Sequence, residues 1–173
     1  MSMNKILVAY ATKCGSTEEV AQAVGRVLRQ VGADVEVAPV QKVKDLAQYS
    51  AVVLGTCIRM SKPIGEATRF AEKHRRALNE RPVALFSVGL GPRDKTLEGD
   101  RAAAEFIQPL KEMIEPVKLG LFAGKVDHAK LGFFFRLAAK RDDTGTLTEG
   151  DWRDWAAIEA WAQELPPVLL PAD

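Results

Sequence analysis

The chain has 173 residues, of which 47% are hydrophobic and 27% are charged, and its formal net charge is +1. This length suits one domain with a substantial core over residues 1–173, and the near-zero charge argues against a nucleic-acid partner. No apolar run reaches the ~20 residues of a membrane helix, the first residues lack a signal-peptide layout, and two cysteines do not make a disulfide framework, so we expect a cytoplasmic protein.

Apolar segments of strand length alternate with segments of helical periodicity along the chain. In chain order, the patterns predict a strand at Lys5–Tyr10, a helix near Thr17–Val31, strands at Asp34–Ala38 and Ala51–Gly55, a helix near Pro63–Leu78, a strand at Val83–Val88, a helix near Arg101–Ile114, a strand at Val117–Ala123 and a helix near Asp151–Leu165. Ser16 with Glu19 and Thr148 with Asp151 have the spacing of helix caps. Pro109 predicts a kink, and Pro166 with Pro167 predicts the end of the last helix.

This alternation predicts an α/β fold, with helices on both faces of a five-stranded parallel sheet. The first, third and fourth strands are continuously apolar, as strands buried on both faces are, whereas the second and fifth alternate polar and apolar residues, as edge strands do. The strand order that fits is 2-1-3-4-5, in a three-layer sandwich. In that order, ligands bind where the first and third strands diverge, at their carboxyl ends.

The turn after the first strand, residues 12–17, is called the first loop below. Hydroxyls at Thr12, Ser16 and Thr17 and the flexible Gly15 precede a strongly periodic helix. Backbone N–H groups and the positive end of a helix dipole favour an anion at such a position. The loop therefore predicts a phosphate site, and the alternative is a hydroxyl-rich helix cap that binds nothing.

Thr12-x-x-Gly15-x-Thr17 resembles the phosphate loop of flavodoxins, which binds the terminal phosphate of FMN. Cys14 departs from that pattern, because a third hydroxyl residue is frequent there. The resemblance implies a flavodoxin-like fold and non-covalent FMN, with the flavin N5 as the reacting atom. The implied phosphate ligands are all in the first loop: Thr12, Lys13, Cys14, Gly15, Ser16 and Thr17. No metal site is assigned.

Two further loops correspond in flavodoxins to the segments that flank the isoalloxazine ring. The second loop follows the third strand and comprises Thr56, Cys57, Ile58 and Arg59. The third loop follows the fourth strand and comprises Ser87, Val88, Gly89, Leu90 and Gly91. Neither contains an aromatic residue, which flavodoxins often place against the ring. The alternative for both is ordinary turn chemistry.

Arg59 is a candidate to bind a substrate carboxylate or to stabilise reduced flavin, because a guanidinium pairs with carboxylates through two hydrogen bonds. A loop arginine without a role is the alternative. Cys14 and Cys57 could form a redox pair, although two free thiols are more usual in a reducing compartment.

A long segment separates the fifth strand from the last helix, and we call residues 125–147 the aromatic-basic insert. Between Lys125 and Arg141 it has five Lys or Arg residues and one Asp, which is a local charge of +4 around Phe133-Phe134-Phe135. One interpretation is an amphipathic helix that meets a membrane surface or covers an apolar, acidic substrate. The other is that the phenylalanines pack into the core.

The aromatic-basic insert, the Gly124-Lys125-Val126 turn, the Arg59 loop and Asp151-Trp152 together resemble the menaquinone-dependent protoporphyrinogen oxidase family. That resemblance implies an FMN-dependent oxidoreductase with a porphyrinogen-like or other small-molecule substrate and a quinone or redox protein as electron acceptor. It also implies peripheral contact with the inner face of the cell membrane through Lys125–Arg141. The alternatives are an electron-transfer flavodoxin with protein partners and a flavin-free interaction module.

Overall fold

A computed structural model describes residues 4–170 of the chain. Its strands are β1 Lys5–Ala11, β2 Asp34–Pro39, β3 Ala51–Arg59, β4 Lys62–Pro63, β5 Val83–Gly89, β6 Lys118–Ala123, β7 Lys125–Val126 and β8 Gly150–Asp151. Its α-helices are α1 Ser16–Gln30, α2 Gly65–Lys73, α3 Arg75–Asn79, α4 Leu97–Phe106, α5 Gln108–Met113, α6 Phe133–Lys140, α7 Trp155–Gln163 and α8 Pro166–Leu169. Short 3₁₀ turns lie at Val40–Lys42, Gly91–Asp94 and His128–Lys130.

The main sheet confirms the expected flavodoxin-like order. Its five parallel strands run β2-β1-β3-β5-β6, and β4 pairs antiparallel with the end of β3. In the centre, β1 pairs with β3 so that Val8 faces Val53, and β3 pairs with β5 so that Leu54 faces Leu85. These residues are fully buried, whereas both edge strands are only partly buried. The carboxyl ends of β1, β3 and β5 therefore meet at one edge of the sheet.

Alternation along the strands divides the core into two layers. Ile6 and Val8 of β1 pack with α1 and α7, while Leu7 and Ala9 point to the other face and pack with residues of α2 and α5. Successive side chains of a strand point to opposite faces, so a strand that is apolar throughout needs helices on both. The result is the predicted three-layer sandwich.

The first helix differs from its prediction at the amino end. Gly15, with φ of 87°, is the residue before the helix, and the predicted Ser16–Glu19 capping box does not form. Instead the Gly15 N–H donates to Thr12 Oγ1 at 3.0 Å. The left-handed backbone at Gly15 turns the chain sharply into α1, a conformation that glycine adopts without steric cost.

The predicted second and third helices are each divided. The Pro63–Leu78 prediction becomes α2 and α3, separated at His74, whose N–H bonds back to Phe70 at 3.0 Å. The Arg101–Ile114 prediction becomes α4 and α5, which meet at Ile107, two residues before Pro109. Because proline lacks an N–H and its ring clashes with the carbonyl four residues earlier, a break near Pro109 is expected.

The last helix starts later than the sequence suggests. Asp154 caps α7 by accepting the Ala157 N–H at 3.0 Å, so the predicted Thr148–Asp151 cap is wrong. Asp151 belongs instead to β8, which pairs with β7 at Lys125. The helix already ends at Gln163, and the Pro166-Pro167 pair opens α8 rather than terminating α7.

Gly55 offers a test of how tightly the central strands pack. A β-carbon at Gly55 would lie 2.1 Å from the ring of Phe86, which is fully buried. We expect Gly55→Ala to lower the free energy of unfolding by about 1–3 kcal/mol in urea denaturation, because the close-packed ring cannot move aside. In the double variant with Phe86→Leu, the combined loss should be smaller than the sum of the single losses. Additive losses would contradict this packing.

Candidate functional site

A cavity of about 460 Å³ opens at the carboxyl ends of β1, β3 and β5. This volume lies within the ~300–1,000 Å³ typical of small-molecule sites. Its walls come from the first, second and third loops and from the aromatic-basic insert. The cavity therefore lies where the strand order reverses, which is the expected ligand position in this topology.

Residues of the first loop lie at one end of the cavity, where α1 begins. Of the six predicted phosphate residues, Lys13, Cys14 and Ser16 line the wall, whereas Thr12, Gly15 and Thr17 do not. The first backbone hydrogen bond at this end of α1 runs from the Glu19 N–H to the Gly15 carbonyl, at 3.2 Å. The N–H groups of the three residues from Ser16 to Glu18 therefore have no acceptor within the helix. Such a group of N–H donors at the positive end of a 15-residue helix favours an anion.

Thr17 supplies a second, independent indication of a ligand. Its side chain is fully buried, and within residues 4–170 its hydroxyl has no hydrogen-bond partner. Leaving a buried hydroxyl unpaired costs about 1–3 kcal/mol, so native proteins rarely do so without a reason. Thr12 is half-buried, and because its oxygen accepts from Gly15, its own proton is left to donate. Both hydroxyls suit a ligand that accepts hydrogen bonds.

The acidic side chains near this loop are all engaged by other residues. Glu18 accepts from the Tyr10 hydroxyl at 2.9 Å, and burial together with this hydrogen bond raises the pKa of Tyr10 to about 12. Glu19 is paired with Arg153. Glu66 is paired with Lys13, and that hydrogen bond lowers the pKa of the Glu66 carboxyl. Carboxylates that are paired in this way repel an anion less.

The predicted second and third loops are largely strand, because β3 continues through residues 56–59 and β5 through residues 87–89, and these two segments touch each other. All residues of the third loop line the wall, as do Cys57, Ile58 and Arg59 of the second. A β-carbon on Gly89 would lie 3.1 Å from Ile58, so the two loops are in close contact. Thr56 is different, because it is fully buried and its hydroxyl donates to the Cys57 carbonyl at 2.9 Å. Of the predicted ring-flanking residues, Thr56 alone does not line the cavity.

An aromatic wall is present outside the three loops, with Phe135 from the aromatic-basic insert and Phe106 from α4. Phe135 is half-buried and lines the cavity, and the Arg59 guanidinium lies 4.2 Å from the centre of its ring. Such a cation–π contact holds both side chains in place. The run of three phenylalanines was the sequence signal for this wall, but the sequence did not tell which of the three turns inward.

Both cysteines are free thiols beside the cavity and are half-buried. Burial raises the pKa of the Cys57 thiol, an effect opposed by the Lys13 backbone N–H and by Arg59. The Cys14 sulfur lies 3.7 Å from an Arg59 nitrogen and 3.7 Å from the Lys130 carbonyl oxygen. Cys14, in the first loop, therefore contacts both the second loop and the aromatic-basic insert.

The aromatic-basic insert folds over the mouth of the cavity and is held there at its far end. Arg93 donates to the carbonyls of Gly145 and Thr146, both at 3.3 Å, and its guanidinium lies 5.2 Å from the Trp152 ring centre. Leu131, Thr146 and Leu147 complete the wall on this side. These wall residues could not be predicted from the sequence, because they lie far along the chain from the three loops and no local pattern marks them.

The exposed side of the aromatic-basic insert is apolar and basic. Phe133 is 71% exposed and Phe134 is 81% exposed, with Leu137 beside them on α6. The interpretation that places the phenylalanines in the core is therefore wrong for these two, although Phe135 does turn inward. No helix within residues 4–170 is long and apolar enough to cross a membrane.

Comparison with known proteins identifies the fold family. A family model of the flavodoxin domain matches residues 7–141. The protoporphyrinogen IX dehydrogenase [quinone] of Escherichia coli K12 is 26% identical to this chain and aligns with 93% of it and 94% of its own length. The protein of the same name from Leishmania major is 27% identical over 96% of this chain and 78% of its own length.

Among solved structures, a flavodoxin from the domain Archaea superposes with a TM-score of 0.57, at 17% identity, over 93% of this chain and 95% of its own. This likeness concerns the fold. The family match, which spans most of the main sheet, agrees with the strand order and with the position of the cavity. The chain therefore belongs to the flavodoxin domain family.

Proposed function

We propose that the protein is an FMN-dependent oxidoreductase that oxidises a porphyrinogen-like substrate and passes the electrons to a quinone. The observation that carries the proposal is the buried Thr17 hydroxyl without a partner, beside the unpaired N–H groups at the start of α1. A dianionic phosphate monoester would satisfy all of these donors. FMN is the phosphate-bearing cofactor of flavodoxins, and two relatives of nearly full length are named protoporphyrinogen IX dehydrogenase [quinone].

The chain's residues divide the proposed cofactor site into two parts. The first loop (Thr12, Lys13, Cys14, Gly15, Ser16 and Thr17) holds the phosphate through N–H and hydroxyl donors. The second and third loops contact the ring, and Ile58 and Leu90 are the aliphatic side chains that they contribute to the cavity wall. When bound, FMN supplies the two-electron redox chemistry through its N5. The residues around it exclude water from the ring and position the substrate.

Arg59 is the proposed contact for a substrate carboxylate. Its side chain lines the cavity and has no acidic partner within 4.0 Å anywhere in residues 4–170. Stacking against Phe135 orients the guanidinium, so less conformational freedom is lost when a carboxylate binds. An electron-transfer flavodoxin, the rival function, has no need of such a contact.

The first prediction concerns the cofactor. Mass spectrometry of the chromophore released from the purified protein should give FMN. Thr17→Val should weaken FMN binding by about ten- to a hundredfold, because a charge-assisted hydrogen bond to phosphate is lost. The same change should leave the apoprotein as stable or more stable in urea denaturation, because an unpaired buried hydroxyl is removed. Thr12→Ala should weaken FMN binding to a similar degree.

Recovery of FAD, or failure of the apoprotein to take up FMN, would refute the cofactor assignment. Unchanged FMN affinity in both threonine variants would mean that the phosphate lies elsewhere.

The second prediction concerns the substrate. Under anaerobic conditions, the FMN-loaded protein should be reduced by protoporphyrinogen IX and reoxidised by a menaquinone analogue. Arg59→Met should raise KM for the porphyrinogen about tenfold with a smaller change in kcat, because a carboxylate contact is lost. Lys62→Met, an exposed cation on the neighbouring β4, serves as the control and should leave both constants unchanged. Flavin reduction only by a protein donor would favour the electron-transfer alternative.

We also propose that the exposed side of α6 meets the inner face of the cell membrane, where a quinone resides. Phe133, Phe134 and Leu137 form an apolar patch, and Arg136 and Lys140 flank it. Each basic residue near an anionic surface contributes about 1 kcal/mol, and this attraction falls with rising salt. The apolar patch adds a contribution that depends less on salt.

The third prediction tests this surface. The double variant Phe133→Ser and Phe134→Ser should lose most of its sedimentation with anionic liposomes while its flavin spectrum stays unchanged. Leu97→Ser removes an apolar side chain that is 67% exposed elsewhere on the surface, and it should sediment like the wild type. If the wild-type protein does not sediment with anionic liposomes at low salt, the proposed membrane contact is wrong.

A further inference from the structure

We infer that Lys130 of the aromatic-basic insert binds the cofactor phosphate from outside the first loop and so ties this insert to the phosphate. The inference rests on the proposed FMN site and adds a residue that the phosphate-loop pattern does not contain. It adds a role at the cofactor to the aromatic-basic insert, for which the sequence indicated either contact with a membrane or a substrate or packing into the core.

The position of Lys130 carries the inference. Its ammonium group lies 3.8 Å from the point that a β-carbon would occupy on Gly15, at the turn into α1. Its carbonyl oxygen lies 3.7 Å from the Cys14 sulfur, so main chain and side chain both meet the first loop. The ammonium therefore lies beside the loop whose N–H and hydroxyl donors lack acceptors.

Local hydrogen bonds fix the turn that presents Lys130. Asp127 accepts the Ala129 N–H at 3.0 Å and so caps the 3₁₀ turn His128–Lys130. The His128 N–H donates to Glu149 at 3.2 Å, and the His128 ring nitrogen lies 2.7 Å from the Leu147 carbonyl oxygen. The turn is thus tied to both ends of the aromatic-basic insert, which limits the entropy lost when Lys130 contacts a ligand.

Lys130 differs from the neighbouring lysines in its lack of a carboxylate partner within residues 4–170. Lys13 is paired with Glu66, and Lys125 lies 3.9 Å from Asp127. Lys130, by contrast, has no carboxylate within 4.0 Å across the described part of the chain, residues 4–170. Arg59, also without an acidic partner, reaches the same Cys14 sulfur. Lys130 is thus an unpaired cation beside a set of N–H donors, an arrangement that suits an anionic phosphate, while Arg59 remains available for the substrate.

Riboflavin, which has the same ring as FMN but no phosphate, separates this role from a structural one. Titration of the apoprotein, followed by flavin fluorescence, should show Lys130→Ala binding FMN about three- to thirtyfold more weakly than the wild type, because one charge-assisted contact is lost at an exposed position. Riboflavin affinity should stay the same. Lys44→Ala removes an exposed cation elsewhere on the surface and should change neither affinity.

Chymotrypsin cleavage after Phe133 and Phe134 gives a second readout. FMN should slow cleavage of the wild type more than riboflavin does, and this difference should disappear in Lys130→Ala. Equal weakening of both flavins would make Lys130 a structural residue and overturn the inference, as would an unchanged FMN affinity. Either of these two results would refute the role of Lys130 but not the proposed FMN site. A wild-type apoprotein that binds no FMN would refute both.

Discussion

The hydrogen-bond donors at the start of α1 are the constraint on which the site depends. The parallel sheet directs β1 into α1 through a turn that Gly15 allows, and the helix then begins with N–H groups that it cannot pair. Burial of Thr17 adds a hydroxyl without an acceptor. These groups have a free-energy cost in the unliganded protein, and an anion with several acceptor oxygens removes that cost.

The aromatic-basic insert forms the part of the cavity wall that the three loops do not form. The three loops lack aromatic residues, and the aromatic rings of the cavity wall come from Phe135 of this insert and from Phe106 of α4. Arg59 joins these parts, because it stacks on Phe135 and reaches Cys14 of the first loop. One segment therefore lies against the cofactor cavity on its inner side and presents Phe133 and Phe134 to solvent on its outer side.

The sequence predicted the sheet well, because strands buried on both faces must be apolar throughout and edge strands must not. It also predicted which three loops meet, since the carboxyl ends of parallel strands share one edge. Helix ends were less predictable: the caps at Ser16 and Thr148 matched a pattern, but Gly15 and Asp154 occupy those positions. Propensity and spacing do not tell which of several nearby polar residues the tertiary structure will use.

The side-chain environment of the aromatic-basic insert could not be predicted for a similar reason. The three phenylalanines have the same local pattern, and only contact with Arg59 distinguishes Phe135 from its neighbours. In the sequence, Lys130 likewise cannot be distinguished from the other basic residues of the aromatic-basic insert. Lys130 lies beside Gly15 although the two residues are more than a hundred positions apart in the sequence, and no local periodicity encodes such a contact.

Amide hydrogen exchange of the apoprotein with either flavin would test most directly whether the first loop and the aromatic-basic insert form one phosphate-binding unit. FMN should slow exchange at the first-turn amides of α1 and at the turn His128–Lys130, whereas riboflavin should slow exchange only in the second and third loops. Equal protection of that turn by both flavins, or no protection at the start of α1 with FMN, would contradict the account.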